Sequence, residues 1–135
     1  MKKISLYLLI LVPILTNCSD DDAPINPLIN SGLLGEWEIS ARGINIVSST
    51  EALCCETIKF MEDSNERDSI GKYTFNDTSG IITDGVFTLD IENNRLLYTT
   101  VNNNSYTQEY SLNTDVLEVW YFENGNRIWT QYDRL

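Results

Sequence analysis

Carboxylates are the side chains of this sequence that could carry acid–base chemistry, because its 135 residues include no histidine. Two close pairs, Glu36/Glu38 and Glu62/Asp63, could serve as general acid and general base. They fall on a solvated strand face and at a turn, and a carboxylate pair without a cleft is weak evidence for hydrolysis. The sequence also lacks a Gly-x-Ser-x-Gly elbow, a phosphate-binding loop and a zinc motif. We therefore predict that the protein is not an enzyme and uses no cofactor or metal ion.

Two adjacent cysteines, Cys54 and Cys55, are the next candidates for chemistry. Neighbouring Cα atoms lie ~3.8 Å apart across a trans peptide, below the usual ~4.4–6.8 Å of a disulfide, so a bridge between them would be strained. Metal sites normally space their cysteines by two or more residues. We expect structural thiols with one or both buried, and keep a vicinal disulfide and a metal or redox role as alternatives.

Seven aromatic residues form the set that could bind a ligand rather than react with one. Their spacing would bring them to one face of a sheet, where a tyrosine offers both an apolar ring and a hydroxyl that orients a ligand. The candidate ligand-binding residues are Phe60, Tyr73, Phe75, Phe87, Tyr98, Tyr110 and Tyr121. The competing interpretation is that this stripe is simply hydrophobic core, the usual role of aromatic residues at strand spacing.

Three further aromatic residues, Trp120, Phe122 and Trp129, fall on the opposite face of their strands. If they are exposed, they would form a patch for a partner protein, a glycan or the membrane. Burial beneath the segment 43–55 is the alternative.

Strands are the elements that must position these side chains, because apolar and polar residues alternate along most of the chain. From Leu33 onward, Trp37 and Ile39 share one face while Glu38 and Arg42 share the other, which is the pattern of a half-buried strand. Similar runs recur to the C-terminus at intervals of roughly ten residues, typical of all-β domains. No long helical pattern competes with them.

Turn residues separate these runs, and Asn124-Gly125 is the strongest hairpin signal because both residues accept the positive φ of a type I′ turn. Strands joined by short turns give an antiparallel up-and-down meander, here of about eight strands. A sheet with one aromatic-rich face buries that face and removes its edges by closing into a barrel. We predict an all-β fold of this kind, with an open sheet or a β-sandwich as the alternative.

The first 17 residues have the pattern of a secretory signal peptide. Lys2 and Lys3 precede an apolar run over 4–15 that is shorter than the ~20 residues of a transmembrane helix. The segment 15–18 resembles the lipobox of bacterial lipoproteins. That resemblance implies cleavage before Cys18, attachment of acyl chains such as palmitate to Cys18, and anchoring in a membrane through those chains.

An acidic run follows the cysteine and is similar to export signals that send some lipoproteins to the outer face of the outer membrane; it comprises Ser19, Asp20, Asp21 and Asp22. With two prolines beyond it, the segment 18–31 is predicted to be a tether between the membrane and a domain over 32–135. Removing residues 1–17 takes away two lysines and no acid, which moves the net charge from −11 to −13. Such a charge makes nucleic acid a poor partner.

Three short segments resemble the lipocalin-like domains of bacterial lipoproteins. They are Gly35-x-Trp37 in the first strand, the cysteine and aliphatic-aromatic strand over 55–60, and the C-terminal 132–134. In lipocalins the tryptophan closes the base of the barrel and a basic residue from near the chain end packs across its ring. The resemblance therefore implies a small lipocalin-like barrel in which Trp37 closes the base, with Arg134 as its first candidate partner and Arg127 as its second.

Two functions are compatible with these features. The first is an outer-membrane-anchored lipoprotein, facing the cell exterior, whose barrel binds a small hydrophobic or amphipathic ligand. The alternative is a non-catalytic structural module, or one that interacts with an envelope protein or a glycan, with a fully packed core. A pocket of several hundred Å³ inside the barrel would favour the first function.

Overall fold

The computed structural model describes residues 26–50, 53–65 and 67–135. The predicted signal peptide, Cys18 and the acidic run 19–22 lie outside these residues. The described residues form one short helix and nine strands: α1 Pro27–Ser31, β1 Gly35–Ile44, β2 Val47–Ser48, β3 Thr57–Glu62, β4 Ile70–Asn76, β5 Ile82–Asp90, β6 Arg95–Thr100, β7 Ser105–Asn113, β8 Val116–Glu123 and β9 Asn126–Arg134.

The strands form one antiparallel sheet that closes on itself. From β3 to β9 each strand pairs with the next in sequence, and β1 pairs with both β3 and β9. These eight strands therefore make a closed barrel, while the two-residue β2 pairs only with the end of β1. The prediction of a small, closed, up-and-down all-β barrel is confirmed, and closure through β1 and β9 excludes an open sheet or a sandwich.

The hairpin turns have the backbone that the sequence predicts. Asn124 and Gly125 have φ values of 49° and 80° and connect β8 to β9, as expected for a type I′ turn. Asn94 and Asn103 take positive φ in the turns after β5 and β6. Asparagine tolerates this region better than most residues, so these turns set the strand lengths with little strain.

A bulge in β1 changes which side chains enter the barrel. Ile39 pairs with Tyr132 of β9, but the next pair joins Ala41 to Gln131, which leaves Ser40 unmatched. Beyond an extra residue the alternation reverses, so Arg42 points to the interior. The alternation in the sequence placed Arg42 on the solvated face, and the bulge is the physical reason that this assignment is wrong.

Helix α1 covers one end of the barrel. The side chain of Asn26 caps it by accepting hydrogen bonds from the backbone N–H groups of Leu28 and Ile29, and Pro27 occupies the first turn. Leu28 is only 2 % exposed and belongs to the hydrophobic core. The predicted tether over 18–31 therefore differs from the structure at residues 26–31, because Leu28 gives this segment an apolar side chain to bury.

No helix among the described residues is long and apolar enough to cross a membrane.

Candidate functional site

The two ends of the barrel are built differently, and the end covered by α1 is closed by Trp37. Its indole Nε1 donates to the backbone oxygen of Leu33 at 2.9 Å, and its side chain is fully buried. The guanidinium carbon of Arg134 lies 4.1 Å from the centre of the Trp37 ring, a cation–π contact. The predicted pairing of Trp37 with Arg134 is therefore present. Arg127, the second candidate, lies instead 4.4 Å above the ring of Trp120.

Arg134 also ties down the chain that leads from α1 into β1. Its Nη1 donates to the backbone oxygen of Leu34 at 2.9 Å, and its Nη2 donates to that of Gly32. Gly35 has a φ of 134°, and a Cβ atom at this position would lie 2.8 Å from Nη1 of Arg134. The positive φ favours glycine at this position of the Gly-x-Trp segment, and the nearby guanidinium of Arg134 leaves little room for a side chain.

The middle of the barrel is filled by aromatic rings in contact with one another. Phe60 meets Phe87 edge to face at 5.0 Å between ring centres, and Tyr73 meets Tyr98 in the same way at 5.1 Å. Tyr106 stacks on Tyr98 at 4.9 Å. The buried rings of Phe60, Tyr73, Phe87 and Tyr98 belong to the core, whereas Tyr106 is 46 % exposed.

The seven predicted binding residues therefore do not form one site. Tyr121 is 41 % exposed near the end of its strand, and Phe75 is half-buried. Phe75 and Tyr98 are the two members of the set that line an interior cavity. The other four are buried in the core: Phe60, Tyr73, Phe87 and Tyr110.

The cavity lies in the half of the barrel away from α1, which we call the wide half. Its volume is about 250 Å³. The side chains that line it come from six strands and the residue before β3: Arg42, Glu56, Ile58, Phe75, Tyr98, Tyr106, Gln108, Thr130 and Tyr132. Both apolar and polar side chains line this wall, which suits an amphipathic molecule.

A buried carboxylate organises the polar side of the cavity. Glu56 is 8 % exposed, and its Oε1 accepts a 2.7 Å hydrogen bond from the hydroxyl of Tyr132. Its Oε2 accepts a 2.8 Å hydrogen bond from Nη2 of Arg42, which completes an ion pair. Burial, reinforced by the neighbouring carboxylate, raises the pKa of Tyr132, so its hydroxyl remains a donor.

One donor in this network has no partner. The Nε atom of Arg42 is buried, and none of the described residues offers it an acceptor. Because a buried N–H without an acceptor is unfavourable, this atom is a place where a ligand oxygen would gain a hydrogen bond.

Sequence reasoning missed the polar side of the cavity. Tyr106 and Gln108 continue the alternation of Tyr110, so the period-two pattern was a signal that could have found them. Glu56 precedes β3, and no pattern in the sequence indicates that a carboxylate there would be buried.

The carboxylates considered for acid–base chemistry, Glu36/Glu38 and Glu62/Asp63, do not line this cavity. Glu36 and Glu38 are exposed on the outer face, where Glu36 lies 3.7 Å from Nζ of Lys59. Glu62 accepts a hydrogen bond from the side chain of Asn26.

The thiols and the outer aromatic residues also have defined places. Cys54 and Cys55 are both free and exposed, so the expectation of buried thiols is wrong. They precede the first residue of β3. Trp129 packs on Gly43 of β1, where a Cβ atom would lie 2.6 Å from the indole ring. Trp120 donates from Nε1 to Glu109, while Phe122 is 64 % exposed.

The fold is similar to that of a solved lipocalin-like protein from Bacteroides uniformis ATCC 8492. The superposition has a TM-score of 0.50 at 9 % sequence identity and covers 77 % of this chain and 99 % of the other. No family model and no curated protein match the sequence. At this identity the likeness concerns the fold alone, and the chain folds as a lipocalin-like barrel.

Proposed function

We propose that the protein is a non-catalytic binding protein whose barrel holds a small amphipathic ligand in its wide half. The observation that carries this proposal is the cavity of about 250 Å³ into which the Arg42–Glu56–Tyr132 network projects. Its unpaired donor, Nε of Arg42, supplies a point of recognition. Its apolar wall supplies the hydrophobic part of the binding free energy.

The size of the cavity limits the ligand. A volume of about 250 Å³ lies below the ~300–1,000 Å³ of typical ligand pockets. Ile58, Phe75 and Tyr98 provide room for a short apolar group. A longer molecule would place only one end in the cavity, and the rest of the molecule would extend out through the open end of the barrel.

The charges of the site favour an uncharged polar group. The positive charge of Arg42 is already balanced by Glu56, and the whole chain carries a net charge of −11. A carboxylate on the ligand would be repelled by the carboxylate of Glu56 and by the net negative charge of the chain. A carbonyl, amide or alcohol oxygen can accept from Nε without that repulsion.

Calorimetry with two probes of equal length tests this assignment. We expect octanamide to bind the detergent-free Cys18→Ser chain more tightly than octanoate. Arg42→Lys keeps the positive charge beside Glu56 but removes Nε. This substitution should weaken the binding of octanamide by about tenfold, the equivalent of one hydrogen bond. Arg95→Lys, on the exposed outer face, is the matched control and should bind like the parent chain. The proposal would be contradicted if neither probe binds and no small molecule can be extracted from the purified protein.

The proposed cellular place is the outer membrane, with the protein anchored by acyl chains on Cys18 and facing the exterior through the signal 19–22. Support comes from the sequence pattern, namely the apolar run before Cys18 and the acidic run after it. Cys18→Ser should remove the lipid mass from the mature protein and release it from the membrane fraction. Alanine at Asp20, Asp21 and Asp22 should keep the lipid but abolish labelling from outside the cell. Labelling that persists after this change would contradict a sorting role for the acidic run.

One observation favours the alternative, an interaction module. Apolar side chains are exposed near the open end of the barrel, including Ile46 at 98 % and Phe122 at 64 %. Exposed apolar residues in proximity are typical of surfaces that bind a protein or a glycan. Replacing both residues by serine should leave octanamide binding unchanged if the cavity carries the function, and would abolish capture of an envelope partner if the surface does.

A further inference from the structure

Cys54 and Cys55 are placed for chemistry that the cavity does not use. Both thiols are free and exposed, and their Sγ atoms lie 2.7 Å apart, with Cys55 as the donor. Side chains of adjacent residues in a strand point to opposite faces. Here Cys55 has a φ of 71°, in the left-handed region that non-glycine residues rarely adopt, and the two sulfur atoms meet instead.

We propose that Cys54 and Cys55 form a redox-active dithiol that closes to a vicinal disulfide by exchange with an external disulfide. The distance between the sulfur atoms exceeds a disulfide bond of ~2.04 Å by a fraction of an ångström. The turn at Cys55 has therefore already brought the sulfur atoms together. This local geometry reduces the penalty that the short Cα separation of adjacent residues imposes.

The exchange proceeds in two substitutions. The thiolate of one cysteine attacks a sulfur atom of the external disulfide, which forms a mixed disulfide and releases one thiolate. The second cysteine loses its proton to solvent, attacks the protein sulfur of the mixed disulfide and releases the other thiolate. The protein dithiol is oxidised by two electrons, and the external disulfide is reduced to two thiols that take up the two protons.

The surroundings favour this chemistry over a structural role or a metal site. Both side chains are exposed, so an external disulfide can reach them. The hydrogen bond to Cys54 raises the pKa of the Cys55 thiol. Within the described residues, no cluster of three or more cysteine and acidic side chains surrounds the pair to hold a metal ion.

Mass spectrometry of the full-length chain tests the proposal, because trypsin cleavage after Arg42 and Lys59 leaves both cysteines in the peptide 43–59. The reduced, folded protein is treated with oxidised glutathione, and the remaining thiols are then alkylated. We expect a peptide that carries neither an alkyl group nor glutathione and has lost two hydrogens. A doubly alkylated peptide, a stable glutathione adduct or a link between two copies would overturn the proposal.

Single-cysteine variants provide the matched controls. Cys54→Ser and Cys55→Ser should each retain one glutathione on the remaining sulfur, because no second thiol is present to release it. The rate of disulfide formation in the parent chain is compared between the folded protein and the protein in urea. If the folded protein is no faster, the adjacency of the two cysteines rather than the turn at Cys55 drives the reaction. That result would also overturn the proposal.

Discussion

The half of the barrel that α1 covers and Trp37 closes, which we call the closed half, differs from the wide half in what its interior side chains do. The same strands contribute to both halves. In the closed half, Trp37 is completely buried, its indole N–H is paired, and Arg134 donates to the backbone around it. In the wide half, the buried carboxylate of Glu56 forms an ion pair with the partly exposed Arg42 beside a cavity, and Nε of Arg42 has no partner among the described residues. From this comparison we expect the closed half to supply most of the stability of the fold, and the polar network of the wide half to contribute little to it.

The largest expected effect is loss of the ring that closes the base. Trp37→Ala should lower the free energy of unfolding by ~3–5 kcal/mol, because it leaves a cavity in a packed core. That is a large share of the ~5–15 kcal/mol that holds a small domain folded. Denaturant unfolding measures the loss, and Trp120→Ala, at a half-buried position on the outer face, is the control. An unchanged midpoint for Trp37→Ala would refute the division of the barrel into a stabilising half and a binding half.

Arg134→Ala should have the second largest effect. It removes the cation over Trp37 and the donors to the backbone oxygens of Leu34 and Gly32, so we expect a loss of ~1–3 kcal/mol. A double-mutant cycle with Trp37→Ala should give a coupling energy above the ~0.5 kcal/mol of independent sites. Strictly additive losses would mean that the stacking contributes nothing.

In the wide half, removing one partner of the ion pair and removing both partners should have different effects on the free energy of unfolding. Arg42→Met leaves the carboxylate of Glu56 buried beside Tyr132 alone, and should cost ~1–3 kcal/mol. The double variant Arg42→Met/Glu56→Gln removes both charges and should recover most of that loss, because a buried pair often contributes little net stability. If the double variant is instead less stable than Arg42→Met, the pair is part of the stabilising framework and the comparison fails.

The smallest expected effect is a change in the pH dependence of stability. Burial raises the pKa of Tyr98 and Tyr132 in the folded chain, whereas an unfolded tyrosine ionises near ~10. The folded state therefore holds these protons longer, and stability is complete below pH ~10 and falls as the pH rises above it. Tyr132→Phe should reduce that fall by about 1 kcal/mol per pH unit. Acid–base titration of the stability of the parent chain and of Tyr132→Phe measures the difference, and an unchanged pH dependence in the variant would contradict a buried Tyr132 hydroxyl.

The strands and the aromatic core were predictable because they depend on local alternation. Phe60, Phe87 and Tyr98 point inward as their spacing indicates, and the Asn124-Gly125 turn fixes its hairpin as its backbone preference dictates. These features require only the two-residue period of a strand and the φ preferences of turn residues.

The polar cavity that we propose as a binding site was not predictable in the same way, because it depends on departures from that period. The unmatched Ser40 turns Arg42 inward, and the sequence contains no signal for a bulge at that residue. Glu56 is buried because Arg42 and Tyr132 reach it from strands that are distant in sequence. Helix α1 was missed because Pro27 is compatible both with an extended chain and with the first turn of a helix.

The position of α1 sets the direction in which the barrel can exchange its contents. The chain enters at the closed end. β9, with nine residues at ~3.3 Å each, is about 30 Å long, and the strand tilt of ~35–45° in a barrel reduces this to roughly 20–25 Å along the barrel axis. If Cys18 is acylated, the eight residues 18–25 can reach at most about 28 Å when fully extended. The bilayer would then be joined to the closed end, and the barrel would exchange its contents through the end opposite to its attachment.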